Sequence, residues 1–253
     1  YFGPDSFVYR VCDTGAACDT ATVSLTVGPV NDEPSFNRSG NIGLGEDNGP
    51  VTVAGWVSSM SAGPANESGQ ILTFNVTGNT NPGLFAVAPA LDATTGDLTF
   101  TPADDAFGTA VITVELQDNG GTADGGDDTS PPENVTITVN SKNDAPSFTA
   151  GGNVSVDEDS GAYSALWATA MSPGPANESA QSLTFNVTGN TNPGLFAVAP
   201  TVDAITGQLT FTPAADANGT ASITIELQDD GGTANGGVDT SAPEVFTITV
   251  DAV

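Results

Sequence analysis

Side chains that can supply oxygen ligands to a cation are concentrated in four kinds of place in the sequence. They are the Asn143-Asp144 pair, the run Asp157-Glu158-Asp159, the Asn66-Glu67 pair, and a late loop with Asp118, Asp127 and Asp128. Calcium takes six to eight oxygens from carboxylates, amide carbonyls and backbone groups, and tolerates flexible loops better than magnesium does. Softer metals lack their preferred donors, because the chain has no His and its two Cys lie elsewhere. Each loop alone reads equally well as a solvated turn, but their recurrence favours calcium.

The charge of the chain is almost entirely of one sign. It has 31 acidic residues against 3 basic ones, a formal net charge of -28. Internal salt bridges cannot neutralise such a set, so an inorganic cation is the expected counter-charge. The same imbalance excludes nucleic acid and acidic membrane surfaces as partners.

Enzyme chemistry has few possible actors in this sequence. There is no His, Lys142 is the single lysine, and no nucleophile elbow is present. A glycosidase-type pair of carboxylates stays formally open, but the acidic residues fall in turns with no pocket implied. The sequence therefore predicts a protein that is not an enzyme.

A long internal repeat organises the chain. Ser61–Val139 recurs as Ser172–Val250 with 62 of 79 positions identical. Further upstream the offset becomes 112, and NDEPSF at residues 31–36 recurs as NDAPSF at residues 143–148. The sequence predicts one domain over residues 34–145 and a second over residues 146–253.

Residues 1–33 align with the end of a repeat. Phe2-Gly3 matches Phe107-Gly108, and Asp13 then falls on Asp118 without a gap. We expect this segment to be the last two strands of an incomplete domain. Since an isolated hairpin is marginal in water, its missing strands would come from the same parent polypeptide or from a neighbouring chain.

Alternating apolar residues predict strands throughout each repeat. Examples are the runs around Leu72–Val76, Ile112–Leu116 and Val135–Val139, separated by Gly, Pro and Asn-rich turns. About seven short strands in roughly 110 residues fit a Greek-key sandwich of immunoglobulin or cadherin shape. The predicted fold class is therefore all-β, with tandem Greek-key β-sandwiches in an elongated array.

The two tryptophans and the two cysteines have structural interpretations. Trp56 and Trp167 occupy matching positions and are expected in the two cores, with a carbohydrate-stacking surface role as the alternative. Cys12 and Cys18 are spaced for a bridge across the base of a tight hairpin, which would indicate an oxidising compartment outside the cytoplasm. A pair of reduced, buried thiols is the alternative.

The chain resembles the cadherin-like tandem repeats of large bacterial surface and secreted adhesins. The resemblance rests on the linkers VGPVNDEPSF and VNSKNDAPSF, on VDEDSG after the second linker, and on PANES, LTF and DNGGTADGGDDTS within the body. It covers essentially the whole chain. It implies extracellular β-sandwiches stiffened by calcium at their junctions, with adhesion or spacing as their role.

The resemblance also implies a set of calcium ligands. The middle junction would use Glu67, Asp118, Asp128, Asn143, Asp144 and one of Asp157 or Glu158. The upstream junction would use Asp13, Asp19, Asn31, Asp32 and Glu46. The terminal pole would carry Glu178, Asp229 and Asp239 as an incomplete third site. The chain departs from the animal-cadherin pattern in lacking the DRE triplet and in its longer late loop, which leaves the number of ions per junction open.

These observations predict a calcium-stiffened extracellular stalk, spacer or filament segment, secreted or at a cell surface. The expected partners are calcium, adjacent repeats and identical chains joined end to end. A ligand-binding module for glycan or ice on the same scaffold is the alternative. The sequence contains no apolar run of 18 residues and no targeting peptide, so no membrane insertion is expected in this segment.

Overall fold

The computed structural model describes all residues, Tyr1–Val253, and contains strands joined by turns and short 3-10 segments. The first eleven strands are β1 (Gly3–Cys12), β2 (Cys18–Val27), β3 (Ser35–Arg38), β4 (Ile42–Gly45), β5 (Val51–Val53), β6 (Val57–Ser61), β7 (Thr73–Asn79), β8 (Phe85–Leu91), β9 (Leu98–Pro102), β10 (Gly108–Gln117) and β11 (Glu133–Asn140). The other nine are β12 (Ser147–Thr149), β13 (Val154–Asp157), β14 (Tyr163–Leu166), β15 (Thr169–Ser172), β16 (Thr184–Asn190), β17 (Phe196–Val202), β18 (Gln208–Pro213), β19 (Gly219–Gln228) and β20 (Glu244–Asp251). The 3-10 segments are Ala65–Glu67, Pro82–Leu84, Ala123–Gly125, Ala176–Glu178, Pro193–Leu195 and Ala234–Gly236. The prediction of an all-β fold is confirmed.

Strands β3–β11 and β12–β20 repeat one topology, and we call them the first and second copies. In the second copy, one sheet has the order β13-β20-β19-β16 and the facing sheet has the order β14-β18-β17, with β12 paired to β15. The first copy has the corresponding sheets β4-β11-β10-β7, β5-β9-β8 and β3-β6. β13 runs parallel to β20, whereas β19 is antiparallel to both of its neighbours. Because β19 and β20 run in opposite directions, the residues that follow them lie at opposite ends of the sheet.

The core of the second copy lies between its two sheets. Ile223, Ile225 and Ile248 of one sheet are in the same buried cluster as Leu209 and Phe211 of the other. The alternation visible in the sequence therefore has a simple cause: in each of these strands, every second side chain enters the core. Matching residues of β10 and β11 are also buried in the first copy.

Both tryptophans are core residues, as the sequence predicted. Trp56 is 1% exposed and Trp167 is 6% exposed. The indole N–H of Trp56 donates to the carbonyl of Gly40, and that of Trp167 donates to Gly152, each at 3.0 Å. Their polar atoms are thus satisfied inside the fold.

Contacts between residues divide the chain into two compact units. The first contains residues 1–43, 48–103 and 109–138, and the second contains residues 44–47, 104–108 and 139–253. The second unit therefore holds the whole second copy together with two turns of the first, Leu44–Asp47 and Asp104–Gly108.

The hairpin of β1 and β2 has one apolar face that no other strand covers. Its register pairs Gly3 with Val27 at the base and Cys12 with Cys18 at the tip, where the two cysteines form a disulfide. Phe7 is 53% exposed and Tyr9 is 48% exposed, whereas the matching Ile112 and Val114 are fully buried. The hairpin is thus built like β10 and β11 but without the layer that covers them.

None of the helical segments is long and apolar enough to cross a membrane.

Candidate metal centre

The side chain of Asn143 is surrounded by hydrogen-bonding groups. Its Nδ2 donates to Oδ1 of Asp229 at 2.9 Å and to the carbonyl of Val238 at 2.8 Å. Its Oδ1 accepts from Nε2 of Gln181 at 2.7 Å. A Cβ on Gly231 would overlap Asn143 Oδ1, so the glycine is required for this close approach.

Asp144 is oriented by a glutamate from the 3-10 segment Ala176–Glu178. The backbone N–H of Asp144 donates to Oε1 of Glu178 at 3.0 Å. Glu178 is only 6% exposed, and its Oε2 has no partner. A buried carboxylate oxygen without a donor is costly, so this arrangement calls for a cation.

Glu46 is placed on the same linker by backbone hydrogen bonds. Its N–H donates to the carbonyl of Asn140 at 3.0 Å, and its Oε1 accepts from the N–H of Lys142 at 2.7 Å. Glu46 is only 2% exposed, and its Oε2 has no hydrogen-bond partner. The linker is therefore flanked by two buried glutamates, Glu46 and Glu178.

Asp47, Asp105 and Asp144 form the tightest acidic cluster. One carboxylate oxygen of each lies within 4.8 Å of those of the other two. Asp47 and Asp105 both have positive φ, at 59° and 55°, and the N–H of Asp105 donates to Oδ1 of Asp47 at 3.3 Å. Oxygens bound to one calcium ion at about 2.4 Å can be up to about 5 Å apart, so the spacing of this cluster fits a shared ion.

The pKa values report the electrostatic cost of this cluster. Burial raises the pKa of Glu46, the hydrogen bond from the Lys142 N–H opposes this rise, and the charges of Asp47, Asp144 and Asp105 add to it. Burial likewise raises the pKa of Asp144, the charges of Asp47 and Asp105 add to the rise, and the charge of Lys142 opposes it.

Burial also raises the pKa of Glu178. The hydrogen bond from the N–H of Asp144 opposes this rise, and the charges of Asp144, Asp229 and Glu46 add to it. Repulsion between carboxylates thus acts on both sides of the linker. A divalent cation would relieve it.

The unpartnered buried atoms at this linker are all acceptors. They are Glu46 Oε2, Asp144 Oδ2, Glu178 Oε2, Asp229 Oδ2 and Gln181 Oε1. No basic side chain forms an ion pair with them, since the one ion pair of the chain joins Arg38 to Glu133, although the charge of Lys142 lowers the pKa of Asp144. A set of orphaned oxygens with no orphaned donor is the chemistry that a hard cation such as Ca²⁺ requires.

An equivalent but smaller set surrounds Asn31 in the first unit. Asn31 Nδ2 donates to Asp118 Oδ1 at 3.0 Å, and Gln70 Nε2 donates to Asn31 Oδ1 at 2.7 Å. The N–H of Asp32 donates to the carboxylate of Glu67 at 3.2 Å. Asp118 Oδ2 and Gln70 Oε1 are buried without partners.

The predicted grouping of ligands by junction is wrong. Glu67 and Asp118 contact Asn31-Asp32 rather than Asn143-Asp144. Glu178 and Asp229 contact Asn143-Asp144 rather than forming a separate terminal site. The late loop follows β10 or β19, and that end of the strand faces the linker that enters the same copy, not the linker that leaves it.

Two further assignments fail because of strand direction. Glu46 lies at the Lys142–Asp144 linker and not at Asn31. Glu158 accepts from the N–H of Val253, beyond the end of β20, and Asp157 pairs with Asp251. Asn143 instead contacts residues that follow the antiparallel β19, at the opposite end of the sheet. A ten-residue strand separates the two ends of the sheet by about 30 Å.

Four aspartates of the predicted set lie outside these clusters. Asp13 accepts from the N–H groups of Gly15 and Ala17 in its own turn, and Asp19 accepts from Thr20. Both lie at the hairpin tip, whereas Asn31 follows its base. Asp128 bonds to Gln117 and Thr129, and Asp239 bonds to Gln228 and Thr240.

Sequence reasoning missed Asp47, Asp105, Gln70 and Gln181. The sequence contained a signal for the two aspartates, because Asp47 recurs as Asp159 and Asp105 recurs as Asp216. In the structure all four of these aspartates have positive φ. The glutamines recur in the same place after PANES in both copies. Nothing in a single sequence marks a glutamine as part of an acidic site.

No protein-family model matches the chain, and no curated protein sequence matches it. Several solved cadherin structures are similar to it. Mouse protocadherin-24 EC1-3 has a TM-score of 0.46 and 17% identity over 98% of this chain and 79% of that chain. Human protocadherin-24 EC1-2 has a TM-score of 0.48 and 16% identity over 88% of this chain and 100% of the other. Chicken VE-cadherin EC1-2 has a TM-score of 0.31 and 20% identity over 84% of this chain and 98% of that chain. All three TM-scores lie below 0.5, and the fold is assigned from the strand order of the two copies.

Proposed function

We propose that this chain is a calcium-stiffened segment of an extracellular repeat protein, acting as a stalk, spacer or filament unit. The observation that carries the proposal is the set of orphaned carboxylate oxygens around Asp144, on Glu46, Glu178 and Asp229. Cadherin-like repeats of bacterial surface and secreted adhesins remain the family that the linker motifs resemble.

The residues of the second unit would hold calcium at the linker. Asp47, Asp105 and Asp144 converge, and the buried Glu46 and Glu178 flank them. Bound calcium would supply positive charge to these carboxylates. Without it, their mutual repulsion favours separation of Asp144 from Asp47 and Asp105. With it, the linker is tied to turns of both sequence copies, and Pro146 restricts the adjoining backbone.

A secreted or cell-surface location accords with the proposed calcium binding and with the redox state of the cysteines. Extracellular calcium modules bind with dissociation constants of about 10⁻⁴ to 10⁻³ M, which suits calcium concentrations outside cells. The Cys12–Cys18 disulfide also fits an oxidising environment. Both arguments support a secreted or cell-surface location.

The hairpin supports association with other repeats. Its exposed Phe7 and Tyr9 correspond to the buried Ile112 and Val114, so strands of a repeat of the same kind would cover them. Such strands would come from the same parent polypeptide or from an identical chain joined end to end. The ligand-binding alternative has less support, because both tryptophans are buried and offer no stacking surface to a glycan.

The test combines a thermal melt with small-angle scattering in millimolar calcium, in chelator, and in magnesium. Calcium is expected to raise the Tm and lengthen the particle, and magnesium to do less. In the variant Glu46→Gln both effects should shrink. Glu158→Gln is the matched control, because Glu158 holds the same sequence position in the second copy but accepts from the N–H of Val253, away from the Asn143-Asp144 linker. No calcium effect on either quantity would contradict the proposal.

A further inference from the structure

The linker residue Asn143 is fastened to the second copy by hydrogen bonds to Asp229, Gln181 and Val238. We propose that Gln181 is a positioning residue that latches Asn143 in place independently of any cation, and that Gln70 does the same for Asn31. The latch deepens the proposed function, on which one consequence rests: removal of calcium would loosen only the side of the linker that faces Glu46, Asp47 and Asp105.

The hydrogen-bond directions define the latch. Both hydrogens of Asn143 Nδ2 are used, by Asp229 Oδ1 and by the carbonyl of Val238. The Oδ1 of Asn143 must therefore accept, and the donor in place is Gln181 Nε2 at 2.7 Å. The backbone carbonyl of Asn143 also accepts from the N–H of Val238 at 2.9 Å. Four hydrogen bonds to protein groups thus hold one residue.

The orientation of Gln181 leaves its side-chain oxygen without a hydrogen-bond partner. Its Oε1 is buried without a partner because its Nε2 is turned toward Asn143. Gln70 has the same orphaned Oε1 and the same 2.7 Å bond to Asn31. The same orientation recurs in both copies because the Oδ1 of each asparagine needs a donor once both hydrogens of its Nδ2 are used.

The first unit repeats the hydrogen bonds of the latch around Asn31. Asn31 makes the matching bonds to Asp118 and to the carbonyl of Asp127, at 3.0 and 2.7 Å. Asp127 and Val238 differ in side chain, but the latch uses only their backbone atoms.

The opposite side of the Asn143 linker has a different character. There Lys142 N–H donates to Glu46, while the oxygens of Asp47, Asp105 and Asp144 face one another. Like charges at this distance repel. The Lys142 and Val238 amides therefore report separately on the two sides: Lys142 on the side of Glu46, and Val238 on the latch.

Hydrogen exchange of these two amides in the full chain, measured by NMR, tests the latch. On moving from millimolar calcium to chelator, the Lys142 amide should exchange at least about tenfold faster and the Val238 amide should change by less than about threefold. In chelator, Gln181→Leu should speed exchange at Val238 by about tenfold, the expected effect of losing a buried hydrogen bond. Gln181→Glu keeps the shape but removes the donor, and it should behave like Gln181→Leu. The amides of β19 and β20 report global unfolding and should stay protected.

Gln70→Leu is the matched control, since it should loosen the Asp127 amide, which donates to the carbonyl of Asn31 at 3.0 Å, and leave Val238 unchanged. The latch is overturned if Gln181→Leu leaves Val238 as protected as in the wild type, or if chelator alone exposes Val238 as much as Lys142. If calcium affects neither amide but Gln181→Leu still exposes Val238, the latch stands and the proposed calcium function fails.

Discussion

Asp229 accepts a hydrogen bond from the side chain of Asn143 at 2.9 Å, although 86 residues separate them. This contact fixes the polarity of the candidate site. The first acidic residue after β19 is paired with the linker that enters the second copy, so each late loop serves the junction before it. The matching bond between Asn31 and Asp118 follows the same rule.

That polarity predicts which aspartate affects calcium. Asp229→Ala removes a buried carboxylate that orients Asn143 and carries an orphaned oxygen. Because hydrogen bonds to charged groups are worth about 1.5–3 kcal/mol, we expect the calcium dissociation constant to rise by at least about tenfold in calorimetry. Asp239→Ala should change it by less than about threefold, since Asp239 bonds to Gln228 and Thr240. Equal effects of the two substitutions would refute the assigned polarity.

The close approach of Gly231 to Asn143 predicts a steric effect. A Cβ at this position overlaps Asn143 Oδ1, so Gly231→Ala should lower the free energy of unfolding by about 1–3 kcal/mol, the usual cost of overpacking. Urea denaturation measures this change. Gly152→Ala is the control, because a Cβ there meets nothing within 4 Å. A stability loss no greater than that of the control would show that the site relaxes freely.

The raised pKa values of Glu46, Asp144 and Glu178 predict the pH dependence of the metal-free chain. A carboxyl whose pKa is higher in the folded state stabilises the fold when protonated. Its contribution is fully present below the ordinary values of 4.5 and 3.8, and it is lost as the pH rises through the raised values. We therefore expect the Tm in chelator to be higher at pH 5 than at pH 7.

Two controls accompany that measurement. Glu46→Gln should reduce the difference in Tm between pH 5 and pH 7, and Glu158→Gln should not. Asp92 and Asp203 have lowered pKa values because backbone N–H groups of their own turns donate to them. Their contribution is lost only as the pH falls below about 4, outside this window. A Tm in chelator that falls from pH 7 to pH 5 would contradict the assigned repulsion.

The buried indole of Trp56 predicts a structural role. Trp56→Phe removes the hydrogen bond to the Gly40 carbonyl and part of the core volume, so it should destabilise the fold by about 1–3 kcal/mol. Trp167→Phe should behave alike, because Trp167 makes the matching bond to Gly152. Chemical denaturation followed by circular dichroism checks both variants. Unchanged stability together with lost sugar binding would favour the surface role instead.

The sequence predicted the fold well because local patterns determine it. Alternating residues such as Ile223 and Ile225 give the strands, and the turn residues between them give the strand ends. The spacing of Cys12 and Cys18 also located the hairpin tip correctly. These features depend on neighbours along the chain, which a single sequence displays directly.

The partition of the site was less accessible from the sequence. Which pole a loop occupies depends on the direction of the strand before it, and this placed Asp118 with Asn31 instead of Asn143. The role of Asp105 depends on a turn that meets a linker almost forty residues later. The role of Gln181 depends on the orientation of a neutral amide, which composition and charge do not register.

The most direct test of the account is a crystal of the chain grown in millimolar calcium, with anomalous diffraction measured at long wavelength. A calcium ion at this linker would give an anomalous peak about 2.3–2.6 Å from oxygens of Asp47, Asp105 and Asp144, with Glu46 or Glu178 adjacent. Ordered carboxylates at this linker with no anomalous peak among them would contradict the proposed calcium site.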